Sequence, residues 1–293
     1  MTTSETPTTP ASLVRKPLDE EIDVYGLTHP GKVRRTNQDQ FLLASLRKRI
    51  DIHLTSLPEL NQPKRVDDRL AFLAMVADGV GGSADGALAS RLALEHVTNY
   101  LTQSLECYYG ADAGEATFAE VLEEAALRTH AEVLRHATED PDLAGMATTL
   151  TVWLGVWPWV YVLQVGDSRY YVFREGQLLR ITRDQTLAQE LVDKAVLTRT
   201  DAFNSRFANI LSSAIGGPQT APVVTRLASD WRNTHLLCTD GLTKHVSEER
   251  ISERLATMTS ARQVCEVLVQ DALDDGGTDN VTIIVGRAIR KDV

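Results

Sequence analysis

The sequence predicts an α+β fold of packed antiparallel sheets covered by helices, on three observations. Strand-like and helix-like segments come in blocks instead of strict alternation, which disfavours a doubly wound parallel sheet. Residues 70–77 are almost continuously apolar, consistent with a strand buried on both faces. From 147 to 181 the chain is β-rich, and turn signals at Trp157-Pro158 and Glu175-Gly176 predict consecutive antiparallel strands, a meander.

Residues 1–20 are rich in Thr, Ser and Pro and lack an apolar core, so they read as a flexible tail and not a signal peptide. A strand over 22–28 then ends in the turn signal His29-Pro30-Gly31. A second strand near 40–44 runs into a polar stretch, 45–69, holding Pro58 and Pro63, which reads as a surface insertion. After the apolar strand come two amphipathic helices. One carries Ala89, Leu92, Ala93, Val97, Tyr100 and Leu101, the other Phe118, Val121, Leu122 and Ala125, and both stripes read as core faces.

Beyond the predicted meander, residues 182–217 are polar and weakly periodic, the mark of a mobile excursion with short helices. Strands near 223–227 and 235–239, helices over 247–256 and 260–273, and a last strand over 281–287 complete the chain. Residues 21–290 thus read as one domain.

A chain of 293 residues with 43% hydrophobic and 24% charged residues can bury a sizeable core. Its formal net charge of -10 argues against a nucleic-acid surface. No run approaches 18 apolar residues, so no membrane span is expected. Cys107, Cys238 and Cys265 form no CxxC pair; buried thiols in a reducing cytoplasm are expected, not a cysteine zinc site. The seven histidines show no metal-ligand spacing, and His29, His96 and His245 read as structural or surface residues.

Five aspartates mark predicted strand ends. Asp78, Asp167 and Asp240 follow apolar runs, whereas Asp39 and Asp279 stand just ahead of one. Carboxylates gathered at strand ends repel one another unless a cation lies between them, which points to a metal site. At Asp78-Gly79 the side chain and the exposed glycine carbonyl could each hold a hard divalent ion such as Mg2+ or Mn2+; the plain alternative is an Asp-Gly turn. Gly79-Val80-Gly81-Gly82-Ser83-Ala84 matches a dinucleotide fingerprint, but no second strand with a terminal acid follows.

Around these aspartates lie Arg34-Arg35-Thr36-Asn37-Gln38-Asp39, Gly145-Met146-Ala147-Thr148-Thr149, Gly166-Asp167-Ser168-Arg169, Thr239-Asp240-Gly241 and Gly277-Thr278-Asp279-Asn280. In this order and spacing they resemble the metal-dependent serine/threonine protein phosphatases of type 2C, in their bacterial form. The resemblance runs from about Tyr25 to Val285. It implies a four-layer α-β-β-α sandwich of two antiparallel sheets flanked by helices. It also implies two Mn2+ or Mg2+ ions, Asp78 bridging them with the Gly79 carbonyl on one, and Asp240 and Asp279 as ligands of the other. Asp39 would hold metal-bound waters, and Asp167 with Asp240 would hold a weaker third ion.

Arg34 matches the phosphate-binding arginine of that family, a task suited to its planar fork. The implied reaction is hydrolysis of phosphoserine and phosphothreonine by a water shared between the ions, on proteins phosphorylated by a serine/threonine kinase. Residues 182–217 match the variable flap beside the site. Val80, Gln185 and Ala147 stand where many members have His, His and Gly, and none of these changes removes a ligand. The alternative is a non-catalytic module of the same fold that binds a phosphoprotein or a kinase.

Overall fold

In a computed structural model of the chain, which describes residues 15–47, 50–56, 69–80, 85–108, 116–203 and 205–290, alternate residues of the central strands face two different apolar layers. The elements in chain order are β1 (Ile22–His29), β2 (Asp39–Leu46), β3 (Ile50–Thr55), β4 (Ala71–Val80), α1 (Asp85–Tyr108) and α2 (Ala116–Glu139). They continue with β5 (Ala147–Thr148), β6 (Leu150–Val156), β7 (Trp159–Val165), β8 (Arg169–Arg174), β9 (Gln177–Arg180), α3 (Leu187–Asp193) and α4 (Arg199–Phe203). Last come β10 (Val223–Ala228), β11 (Thr234–Cys238), α5 (Asp240–Thr243), α6 (Glu248–Ala256), α7 (Ala261–Asp274) and β12 (Val281–Ala288).

Two antiparallel sheets result. One runs β10-β7-β6-β4-β2-β3, with β5 paired to the end of β4; the other runs β1-β12-β11-β8-β9. The period of two along a strand sends Leu42, Ala44 and Leu46 of β2, and Leu73, Met75 and Ala77 of β4, onto α1 and α2. The residues between them, Phe41, Leu43, Ala74 and Val76, meet Tyr170, Val172, Leu237 and Ile284 of the second sheet. On the far side Leu236, Cys238, Ile283 and Val285 pack on Ile251, Val264, Cys265 and Leu268 of α6 and α7. Three buried interfaces between four layers of structure make the α-β-β-α sandwich, and they explain why the strands read as continuous apolar runs. Ser247 and Ser260 cap α6 and α7 by accepting from Arg250 and Gln263 amides, so each helix starts where the sequence places its serine.

Three expectations change. The tail is shorter than 1–20: Arg15 pairs with Glu21 at 2.6 and 2.5 Å, the Trp231 indole donates to the Arg15 carbonyl at 2.9 Å, and Arg69 reaches Asp19 at 2.7 Å. Residues 1–14 lie outside the described residues. The stretch 45–69 is not all surface excursion, because β2 runs on to Leu46 and β3 adds an edge strand beside it; residues 57–68 lie outside the described residues. The predicted meander does not stay in one sheet. β6 and β7 belong to one sheet and β8 and β9 to the other, so the chain crosses between sheets at Gly166-Asp167-Ser168.

Candidate metal and phosphate centre

The same alternation that sorts the apolar residues places the carboxylates. Asp39 is two residues from Phe41, and Asp78 two from Val76, so both point into the space between the sheets. They are direct partners in the antiparallel register of β2 and β4. Asp39 is 1% exposed, and its Oδ2 accepts from Thr239 Oγ1 at 2.8 Å and Thr282 Oγ1 at 2.7 Å, both on the opposite sheet. Its Oδ1 is buried with no hydrogen-bond partner among the described residues. Burial pushes the Asp39 carboxyl up to about 7, against the pull of the two hydroxyls and with the help of the Asp240 and Asp279 charges. Asp78 is raised well above the ordinary range by burial and then by Asp39, Asp240, Asp167 and Asp279.

Backbone geometry fixes Asp78. Its amide donates to Thr149 Oγ1 at 3.0 Å, while its carbonyl accepts from the Thr149 amide and Thr148 Oγ1, each at 2.9 Å. Gly79 follows because a Cβ there would lie 2.2 Å from the Gly86 carbonyl oxygen at the start of α1. Thr148 and Thr149 are thus supports of the site, as their place in β-structure suggests.

Asp240 opens α5 directly after β11, and Asp279 stands just before β12. Arg34 grips Asp279 through Nε to Oδ1 at 2.8 Å and Nη2 to Oδ2 at 3.1 Å. Lys244 Nζ lies 2.8 Å from Asp279 Oδ2 and 2.6 Å from Asp240 Oδ2. Burial works to raise Asp279, yet these bonds from Arg34 and Lys244 hold it below the usual carboxylate range. Asp240 Oδ1 is buried with no hydrogen-bond partner among the described residues.

Asp167 reaches the centre because the chain changes sheets there. Gly166 makes the crossing with φ of +101°, and a Cβ on it would lie 2.7 Å from the Thr149 side chain. Burial, then the charges of Asp240 and Asp184, push Asp167 up to about 8. Gln185 locks the crossing to the 182–217 segment. Its Oε1 accepts from the Gly166 amide at 2.7 Å and its Nε2 donates to the Ala221 carbonyl at 2.8 Å. Asn280 orders the Arg34 loop: its Nδ2 donates to Pro30 and Thr36 carbonyls, and its Oδ1 accepts from Gln38 N at 2.9 Å.

All six polar residues singled out in the sequence therefore converge on one end of the inter-sheet space, with Gly79 beside them. Lys244, Thr239 and Thr282 escaped notice. Lys244 had a signal in its i,i+4 spacing from Asp240; the threonines look like ordinary strand residues. The donor set is all oxygen, with two buried orphan oxygens aimed into it, which fits hard divalent cations such as Mg2+ or Mn2+. A separate apolar cavity lined by Phe72, Trp153, Trp159 and His235 lies toward the start of β4, about 20 Å along the strand from Asp78.

A family model described as "Protein phosphatase 2C" matches residues 62–275. The chain belongs to that family. It is 32% identical over 225 residues to the serine/threonine protein phosphatase PstP of Mycobacterium tuberculosis, covering 76% of this chain and 41% of that one. The chain thus spans less than half the length of its mycobacterial relative. It is 30% identical over 214 residues to the serine/threonine phosphatase stp of Listeria monocytogenes, covering 73% of this chain and 83% of that one. A crystal structure of the catalytic domain of PstP in complex with two manganese ions superposes with a TM-score of 0.69 at 28% identity, over 92% of this chain and 99% of that one.

Proposed function

We propose that the chain hydrolyses phosphoserine and phosphothreonine in proteins, at a centre for two Mn2+ or Mg2+ ions with a weaker third position. The observation that carries this reading is the Asp39–Asp78 pair. A buried carboxylate, Asp39, sits opposite a half-buried one, Asp78, on neighbouring strands, and one Asp39 oxygen has no hydrogen-bond partner among the described residues. The serine/threonine phosphatase activity named for the mycobacterial and Listeria relatives, and the manganese in PstP, support it.

Asp78 would hold both ions, with the Gly79 carbonyl on one and Asp240 and Asp279 on the other, and Asp39 would act through water. Asp167 with Asp240 would make the third position. When bound, the ions supply an activated water at neutral pH and neutralise charge on the phosphoryl oxygens. The residues of the chain do the rest. Arg34 is 53% exposed and supplies a planar two-point fork for the phosphate once it lets go of Asp279. The Thr239 and Thr282 hydroxyls fix the orientation of Asp39. Cys238, raised to about 12 by burial, is no nucleophile, so a covalent thiol mechanism has no support from it.

A groove between Asp167, Asp240 and Lys244 on one side and Arg183, Gln189 and Asn209 on the other supports peptide recognition by residues 182–217. The substrates would be proteins modified by a serine/threonine kinase, in the cytoplasm. No helix among the described residues is long and apolar enough to cross a membrane. Turnover of a phosphothreonine peptide and of a small aryl phosphate, with Mn2+ and after chelation, tests the reading. Full activity after exhaustive chelation would overturn it, and tight Mn2+ binding without turnover would favour a non-catalytic module.

A further inference from the structure

The helical layer carries a second group of metal-ligand side chains, which the sequence spacing does not reveal. His96 comes from α1, and Glu132 and His136 come from one face of α2, four residues apart. Nε2 of His96 lies 3.8 Å from Glu132 Oε1, and Nε2 of His136 lies 3.4 Å from the same oxygen. One donor atom from each residue lies within 4.8 Å of the other two. The two histidines meet across two helices, so no spacing in the sequence marks them.

Two donors on one tetrahedral ion, each ~2.0–2.1 Å from it, are ~3.3 Å apart. The distances to Glu132 Oε1 approach that separation, and the two imidazole donors lie within 4.8 Å of each other. Glu132 is held below the ordinary glutamate range, first by hydrogen bonds from Arg135, so it is an ionised donor. Arg135 competes for that carboxylate through Nε to Oε2 at 3.1 Å and a shorter Nη2 contact to Oε1. It also bonds both oxygens of Glu139, at 2.6 and 2.5 Å, and so keeps a carboxylate partner when Oε1 turns to an ion.

We infer that His96, Glu132 and His136 form a transition-metal site of the zinc class that clips α1 to α2. Two imidazoles and one carboxylate with an open fourth position for water select Zn2+, Co2+, Ni2+ or Cu2+ over Mg2+ and Mn2+. The aspartate centre, built from oxygen alone, suits Mg2+ and Mn2+ and is filled with Mn2+ in the test. The clip joins two helices that back that centre. Gly86 of α1 packs on Gly79, Ser90 Oγ donates to the Gln38 carbonyl at 2.6 Å, and His130 of α2 accepts from the Gly216 amide at 3.0 Å.

The test uses the whole chain with the aspartate centre saturated with Mn2+. Equilibrium dialysis against Zn2+ is expected to load one further ion per chain. Co2+ added in its place is expected to give the intense visible bands of a four-coordinate ion. His96→Gln and His136→Gln should weaken Zn2+ by more than the about 10–100-fold typical of losing a mere outer-shell partner. Mn2+-dependent turnover should stay unchanged in both. Equal Zn2+ loading in wild type and in the double variant would overturn the inference, because the ion would then sit elsewhere. So would the lack of a four-coordinate Co2+ spectrum in the wild-type protein, a result independent of how any variant folds.

Discussion

Arg34 and Asp279 are joined by two parallel hydrogen bonds, Nε to Oδ1 at 2.8 Å and Nη2 to Oδ2 at 3.1 Å. The residue proposed to hold phosphate thus occupies both oxygens of a residue proposed to hold metal. A cation on Asp279 and a phosphate on Arg34 would each release the partner of the other, so their binding is expected to be cooperative. Arg34→Ala should lower kcat/KM about 10²-fold, as loss of a charge-stabilising donor does. Mn2+ should bind this variant as tightly as wild type or tighter. Calorimetric titration with Mn2+ checks this, and weaker binding in Arg34→Ala would contradict the coupling.

Lys244 places its ammonium between Asp240 and Asp279, 2.6 and 2.8 Å from their oxygens. Lys244→Met should lower the thermal midpoint of chelated protein, because two half-buried carboxylates lose their counter-charge at a cost of about 1–3 kcal/mol. With Mn2+ present the loss should shrink or reverse. Melts of both proteins in chelator and in Mn2+ read the difference directly. Equal destabilisation in the two conditions would assign Lys244 a purely structural role.

The pH response follows from carboxyl groups raised by burial to about 7 at Asp39 and about 8 at Asp167. Between the unfolded carboxyl value near 4 and these values, the folded protein binds more protons than the unfolded one. Its stability contribution is therefore full below about pH 4 and lost as pH rises through 7 to 8. Metal-free protein should lose stability from these groups as pH climbs from 5 to 8.5, and Mn2+ affinity should rise over the same range as protons leave. Asp39→Asn keeps an oxygen to accept from Thr239 and Thr282, so it should flatten part of the metal-free slope. Thermal melts across pH, with and without chelator, provide the measurement.

Gln185 ties the 182–217 segment to the crossing at Gly166. Gln185→Ala removes two hydrogen bonds, worth about 0.5–1.5 kcal/mol each, and should loosen the segment without touching a ligand. KM for a phosphothreonine peptide is expected to rise several-fold, with turnover of a small aryl phosphate within about twofold of wild type. Parallel loss on both substrates would show that the segment supports the centre instead of reading the peptide.

The sequence carried the layers of the fold because strands buried on both faces leave continuous apolar runs, as in 70–77, and capped amphipathic helices leave stripes. It did not carry the division of strands between sheets. A hairpin from β6 to β7 and a crossing from β7 to β8 look alike in a pattern of period two. The aspartates were legible because carboxylates gathered at strand ends point to a cation between them. Lys244 was hidden as one more surface-like charge. The hydroxyl partners of Asp39 were hidden because threonine is also a common strand former. His96 and His136 are forty residues apart, and only helix packing brings them together.

Asp39 accepts from Thr239 and Thr282 across the gap between the sheets. Under the proposed function the side chain would therefore answer to two selective pressures at once. A copy of this chain that had stopped turning over substrate would gain nothing from Asp240 or Asp279 and could drift at both. At position 39 it would still need an oxygen acceptor for two buried hydroxyls. In a catalytically silent descendant, Asp or Asn at this position would be a fossil of the architecture, and not a sign that the reaction survives.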